Sequence, residues 1–473
     1  MCHSRPNEQI KPLAITSGFS YSQKTSKLLS MNLAAYQNAK KYLEALPSQV
    51  FATRKENPQL SLERTRKLLM AFGNPEKNFK FIHITGTSGK GSVTMYLHNI
   101  LHTAGIKVGS YLSPHVITTT ERIVVNGKLA AVPDFLWAFN KIKPYLDKTK
   151  KSDKKFVPSH FESLFAMSLL IFKKRQIEWA VIEVGCGGEF DPTNVMPSPK
   201  IAIITNIGLD HQQLLGKTKI KIAKTKAKIL KQGSMLLTGE TDYKIRNLLI
   251  NQAKLVRIPY YYMPRPKSKV IYQDALMLWR HSSLGMIKQQ MFGEHQQVNA
   301  NLTIEAAKML RIPSRAIVKG LASTKLPARI EIIQKEPTTI IDGAHNPDKI
   351  QALVATLKSL DYTKVKAIIG IGEKKNAQAI LKILKTTVNH WIITQASQSY
   401  PKPMPANLLV RILKQISPNS KISLIPNCQK ALDFAIDSKN KLPILITGSL
   451  YLAGELRQRW YSEKMTLIKQ SNF

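Results

Sequence analysis

A run of β-branched and aromatic residues that stops on a glycine–lysine loop and passes at once into a helical pattern constrains this chain more than any other feature. It reads KFIHIT, GTSGKGS, VTMYLHNILHTAG over residues 80–105. A strand that ends in glycines and opens a helix is the start of a βαβ unit, and the parallel sheet built from such units is covered by helices on both faces. The pattern recurs in WAVIEVGCGG and KIAIITNIGLDH. It restarts after Leu326 in RIEIIQKEPTTIIDGAHNP, KVKAIIGIGE, HWIITQA and LPILITGSLYLAGEL. Ligands bind at the carboxyl ends of such strands, so the glycine-rich stretches are where chemistry is expected.

The expected fold is therefore α/β, with two domains meeting near Ser323–Pro327. Residues 31–325 form a larger nucleotide-binding domain and residues 326–473 a smaller Rossmann-like one. A chain of 473 residues also exceeds what one core usually supports. Residues 1–30 have no apolar stretch ending in a cleavage site, and the first periodic segment opens at Met31, so they read as a disordered extension outside the fold.

No segment approaches the roughly 18 uninterrupted apolar residues of a membrane span, so no membrane contact is expected. Three scattered cysteines, Cys2, Cys186 and Cys428, suit a reducing compartment, with the cytoplasm as default. The formal net charge of +40 raises nucleic-acid binding as a rival function. The lysines are, however, spread along the chain, and neither a zinc-finger spacing nor an RRM aromatic signature is present. A genome-wide lysine bias, or attraction for polyanionic small substrates, explains the charge about as well and is favoured, and no specific nucleic-acid partner is expected.

The loop Gly86-Thr87-Ser88-Gly89-Lys90-Gly91-Ser92 has the chemistry of a phosphate cradle. Glycines let successive N–H groups face one anion, the helix amino end adds partial positive charge, and Lys90 reaches terminal phosphates. The spacing departs from GxxxxGK[ST], because Ile84 stands at the first glycine and Gly91 separates Lys90 from Ser92.

The ordered set GTSGKGS, YLSPHV with ERIVVNG, HFESLFAMSLLIF, EVGCGGEFDPTN, ITNIGLDHQQLLG, HQQVNANLTIEAA, LPARIEII, IDGAHNP and ITGSLYLAGELR resembles the folylpolyglutamate synthase and dihydrofolate synthase family of Mur ligases. The resemblance covers nearly everything from Met31 to Arg457. It implies a Mur ligase-type P-loop ATPase domain followed by a smaller C-terminal Rossmann-like domain. The implied reaction is ATP-dependent addition of L-glutamate to dihydropteroate or reduced folate through an acyl phosphate, by a monomer using magnesium, with two ions expected.

Residue by residue, the resemblance assigns Gly86–Ser92 with Lys90 to ATP phosphates, and Ser113, Glu183 and His211 to magnesium. It places Asn299 on the adenine, with Arg329, Asp342 and His345 reaching the nucleotide from the second domain. Pro114, His115, Arg122, Phe161 and Glu162 fall around the pteroate or folate pocket. Lys226 aligns with a lysine that the superfamily carbamylates into an anionic metal ligand, which makes Lys90, Lys226 and His211 the candidate catalytic set. From the residues alone, Lys226 reads as a solvated lysine in a basic helix. The sequence departs from the family pattern at Ser88, at Glu189-Phe190-Asp191 and at Lys374-Lys375-Asn376. A ligase acting on a muropeptide precursor shares the ATP motifs, but LSPH with ERIVVNG, HFESL and TGSLYLAGE favour the folate branch.

Overall fold

The computed structural model describes residues 23–47, 57–397, 402–438 and 440–473. The expected extension at residues 1–30 lies largely outside them. A helix over Gln23–Glu44 begins upstream of Met31, where the sequence placed the first element.

Eight strands form the first sheet: β1 (Lys80–Thr85), β2 (Val108–Tyr111), β3 (Ile123–Val125), β4 (Lys128–Leu129), β5 (Trp179–Glu183), β6 (Ile201–Ile204), β7 (Leu236–Thr238) and β8 (Tyr260–Tyr262). Their order is β4-β3-β2-β5-β1-β6-β7-β8. All neighbours from β2 to β8 are parallel, while β3 and β4 add an antiparallel margin. β1 sits between β5 and β6, pairing Ile82 with Val181 on one side and Ile201 on the other. These strands are continuous apolar runs because both sheet faces are buried, so Ile82, Val181 and Ile201 lose all solvent contact.

A second, three-stranded antiparallel sheet, β9 (Ile271–Gln273), β10 (Leu276–His281) and β11 (Gly285–Gln289), was not read from the sequence. It is anchored through buried Gln289, which bonds the Trp279 indole and the Tyr96 hydroxyl on the helix that follows the phosphate loop. The third sheet comprises β12 (Glu331–Lys335), β13 (Thr338–Ile341), β14 (Val365–Ile369), β15 (Val388–Gln395), β16 (Lys421–Asn427) and β17 (Ile444–Thr447). Their order is β12-β13-β17-β14-β15-β16, parallel except for the β12 margin. The carboxyl ends of β1, β5 and β6 face the loop after β13, so the first and third sheets share one cleft; Asn346 and Lys375 of the third sheet's loops reach Asp210 after β6. Among the described residues no helix is long and apolar enough to cross a membrane.

Candidate active site

The phosphate loop is shaped by two glycines at positive φ whose missing side chains make room for close neighbours. A side chain on Gly86, at φ +149°, would lie 1.8 Å from Thr205 Oγ1; one on Gly89, at φ +83°, would lie 2.4 Å from Asn299 Oδ1. A Cβ at either position would strain the backbone and force Thr205 or Asn299 to move. Asn299, expected at the adenine, thus lies directly over the loop, and its Nδ2 donates to Gln296 Oε1 at 3.0 Å.

Asn206, after β6, engages the start of the loop: its carbonyl accepts the Thr87 amide at 2.9 Å and its Oδ1 accepts the Ser88 amide at 2.9 Å. Two of the expected phosphate amides are therefore occupied within the protein. The anion cradle is left to the amino end of the helix Lys90–Thr103, which starts at Gly89 and carries no side-chain cap. Uncapped N–H groups at a helix start are the usual anion partners.

Two ammonium groups converge on one carbonyl oxygen here. Lys90 Nζ donates to Gly86 O at 3.1 Å and Lys226 Nζ to the same atom at 2.8 Å. Lys226 is only 4% exposed, which corrects the solvated-lysine reading. The helix Lys219–Ala227 buries one face made of Ile222, Ala223, Lys226 and Ala227, so a lysine on that face is carried inward with its alkyl stem packed. Burial, reinforced by the neighbouring Lys90 charge, pushes the Lys226 ammonium down to about 7.

Both lysines line one hollow with the Gly185–Gly187 loop after β5 and with Asp210 and His211 after β6. Asp210, which the sequence reading missed, is the interdomain hub. Lys375 Nζ lies 3.5 Å from its Oδ1 and Asn346 Nδ2 3.4 Å from its Oδ2, both from the second domain. Burial alone would raise this carboxyl, but His211, Lys375 and Lys349 hold it well below the usual carboxylate range.

The second domain delivers a cation of its own. His345 Nδ1–H donates to Gly343 O at 2.8 Å, which fixes the tautomer and leaves Nε2 to accept from Lys349 Nζ at 3.3 Å. Burial pushes Lys349 down to about 7, against the pull of Asp210 and with help from Lys90 and Arg329. Asp342 does not reach outward: its carboxylate accepts the Ile330 amide at 2.9 Å and the Ala344 amide at 2.8 Å, pinning the loop that carries His345. Arg329 Nη1 rests on its neighbour's carbonyl, Ala328 O, at 2.9 Å.

The expected metal set divides. Glu183, at the end of β5, is buried beside Gly91, and its Oε2 accepts the backbone N–H of Ser113 at 3.1 Å. Burial raises this carboxyl, opposed by Lys90 and Arg329. His211 and Lys226 line the hollow described above, of which Glu183 is not a part. Among the described residues no three His, Cys, Asp or Glu side chains form a metal cage. A hard cation that keeps its waters and bridges substrate phosphates needs only one or two carboxylates, so Glu183 beside the loop fits magnesium. Lys226 as an ammonium does not.

On the pteroate side, Arg122 Nε donates to His115 Nδ1 at 2.9 Å, joining two predicted pocket residues. Pro114 is exposed in the same loop. That loop is organised by Glu121, which accepts the amides of Val116, Ile117 and Thr118, and by Tyr36, whose hydroxyl meets Thr118 Oγ1 at 2.6 Å. Phe161 packs edge-on against Tyr111, with ring centres 5.5 Å apart, and covers Gly185. Glu162 takes a structural place, contrary to the substrate contact expected of it. Its two oxygens accept from Ser61 Oγ, from Arg64 Nη2 and Nε, and from the Ser159 amide that starts its own helix. A carboxylate with four donors has no acceptor site left for a ligand.

Comparison with known proteins agrees with this geometry. The Mur ligase middle domain matches residues 161–307, and the Mur ligase glutamate ligase domain matches residues 328–450. The chain is 32% identical over 416 residues to a folylpolyglutamate synthase of Lacticaseibacillus casei, covering 84% of this chain and 93% of that one. It is 31% identical over 417 residues to a dihydrofolate synthase/folylpolyglutamate synthase of Bacillus subtilis, covering 84% and 94%. Among solved structures, Mycobacterium tuberculosis folylpolyglutamate synthase complexed with ADP and AMPPCP superposes with a TM-score of 0.81 at 25% identity, covering 91% of this chain and 99% of that one. With two parallel sheets facing one lysine-lined cleft and likeness along most of its length, the chain belongs to the folylpolyglutamate synthase family of Mur ligases.

Proposed function

We propose that this protein uses ATP to join the amino group of L-glutamate to a carboxylate of dihydropteroate or reduced folate. The observation that carries the proposal is the convergence of Lys90 and Lys226 on Gly86, with Lys349 and Lys375 supplied across the cleft, at the uncapped start of a helix. A site with this much positive charge and two ammonium groups depressed to about 7 is built to be completed by a polyanion. ADP and AMPPCP in the mycobacterial relative supply the matching chemistry.

In this reading the Gly89–Ser92 amides and Lys90 hold the terminal phosphates of ATP in line with the substrate carboxylate. Arg329 and Lys349 add charge as the cleft closes, and closure excludes water from the reactive acyl phosphate. The phosphoryl group passes to the carboxylate oxygen, the glutamate nitrogen attacks the carbonyl carbon, and phosphate leaves with the former carboxylate oxygen. Magnesium, with two ions expected, would be held by Glu183 and the Ser113 and His211 side chains, and supplies charge neutralisation on phosphate oxygens. A carbamate on Lys226 would convert that residue from a misplaced cation into an oxygen donor. His115 and Arg122 face the substrate carboxylate, and Asn299 the adenine.

ADP release by the purified protein, with glutamate and either dihydropteroate, tetrahydrofolate or a muropeptide precursor, tests the substrate class. Turnover with the pteridines alone is expected; turnover confined to the muropeptide would refute the folate reading. Nucleotide binding has its own signature. Phosphate oxygens favour the Lys349 ammonium, so its pKa rises from about 7 in the complex, and binding above pH 7 takes up a proton. Affinity therefore falls as pH rises above 7. Calorimetry of AMPPCP binding in two buffers of different ionisation enthalpy is expected to show that uptake at pH 8 and a smaller one in Lys349→Met; equal heats of proton exchange in both proteins would contradict the assignment.

A further inference from the structure

The eight-stranded sheet ends on β8, and residues 241–273, which supply that edge, carry seven Lys and Arg against a single acid, Asp242. Asp242 is already committed: it caps the helix Tyr243–Leu255 through the Lys244 and Ile245 amides and lies 3.7 Å from Lys219 Nζ. The helix places Arg246 and Lys254 over rings of β8, and Arg246 also lies over the ring of Tyr243 on the helix itself. The Arg246 guanidinium is 4.2 Å from the Tyr262 ring centre and 5.6 Å from that of Tyr243, and Lys254 Nζ is 6.0 Å from that of Tyr260. Cations of the helix thus lie over rings of a strand that, among the described residues, pairs only with β7. Tyr243 is 67% exposed and Tyr260 41%, and Arg257, Arg265 and Lys267 extend the charge beyond them. The adjoining helix Lys219–Ala227 packs alongside and presents Lys221 and Lys224 to solvent.

Folding therefore gathers into one edge cations that look dispersed along the sequence. We propose that this edge binds single-stranded nucleic acid without sequence preference, the cations tracking phosphates and the tyrosine rings stacking bases. Both halves of such recognition are present, since every base offers a π-face and every nucleotide a charge. An anionic lipid surface would require an aliphatic face to insert. Tyr243 and Leu255 are the only large hydrophobic side chains exposed on this helix, and Leu255 stands at its end. Two strands, β6 and β7, separate this edge from β1 and the phosphate loop.

The test is fluorescence anisotropy of a labelled oligouridylate titrated with the full-length protein across salt concentrations. Binding is expected to weaken with salt by a log–log slope of about −0.7 for each phosphate neutralised. The double variant Tyr243→Ala/Tyr260→Ala is expected to lose at least about tenfold in affinity at fixed salt with an unchanged slope. Tyr243→Phe/Tyr260→Phe, which keeps both rings, should bind like the unaltered protein. Arg246→Gln/Lys254→Gln/Arg257→Gln should flatten the slope by about two, for three lost phosphate contacts. ADP release in each variant reports that the fold is intact. Failure of the unaltered protein to bind the oligonucleotide, capture of phosphatidylserine vesicles in its place, or alanine and glutamine variants that bind as well as the unaltered protein would each overturn the proposal.

Discussion

Replacing Lys90 with alanine is expected to lower kcat/KM for ligation by about 10³-fold or more, the scale seen when a cation is removed from a transferring phosphoryl group. Two effects combine. The ammonium that sits on Gly86 at the start of the loop is lost, and no other loop residue carries charge. Its removal also relieves the repulsion that helps depress Lys226, so the Lys226 pKa rises and its neutral fraction at pH 7 falls. The nearby Lys226 ammonium cannot substitute, because it is buried and held on the helix Lys219–Ala227, outside the loop. Steady-state ADP release measures the effect; turnover within a few-fold of the unaltered enzyme would remove the phosphate loop from the account.

The second large effect concerns Lys226. A carbamate forms when a neutral amine attacks carbon dioxide, making the N–C bond and releasing a proton, so a lysine held near 7 is prepared for it where an ordinary lysine at 10.5 is not. Lys226→Ala is expected to lose about a hundredfold or more in turnover, and Lys226→Arg a similar amount, since a guanidinium keeps its charge and forms no stable carbamate. Added bicarbonate or a short carboxylic acid should restore part of the alanine variant's activity by occupying the vacated oxygen position, and none of the arginine variant's. Turnover of all three forms across bicarbonate concentrations decides the point. Robust activity of Lys226→Arg at every concentration would exclude the carbamate and leave Lys226 as a simple counter-charge to phosphate.

Legibility in the sequence follows how local each feature is. The strand–loop–helix at residues 80–105 was readable because its neighbours along the chain determine its conformation: β-branched residues buried on both faces, then glycines at positive φ, then an uncapped helix start. The largely parallel third sheet was readable for the same reason. The antiparallel β9–β11 sheet was not, because its strands are short and its anchor, Gln289 to Tyr96, spans 193 residues. The site residues that escaped reading are equally non-local. Asn206 meets Ser88 across 118 residues and Asp210 meets Lys375 across 165, and nothing near either residue in sequence signals that meeting. Lys226 misled in the opposite direction: its run is basic and looks solvated, yet the spacing of Ile222, Ala223 and Ala227 already marked one apolar face. Glu162 looked like a pocket carboxylate because its partners, Ser61 and Arg64, lie about a hundred residues upstream in a helix that carries no motif.

The central claim is that phosphate is transferred to the substrate carboxylate before glutamate attacks, in a cleft whose cations hold the phosphates in line. Its most direct test follows oxygen. Tetrahydrofolate or dihydropteroate carrying heavy oxygen in the reacting carboxylate is turned over with ATP and glutamate, and the released phosphate is analysed by mass spectrometry. The account predicts a single heavy oxygen in the phosphate, together with a product heavier by one glutamyl group. Phosphate free of label, formed while the glutamyl product accumulates, would contradict it.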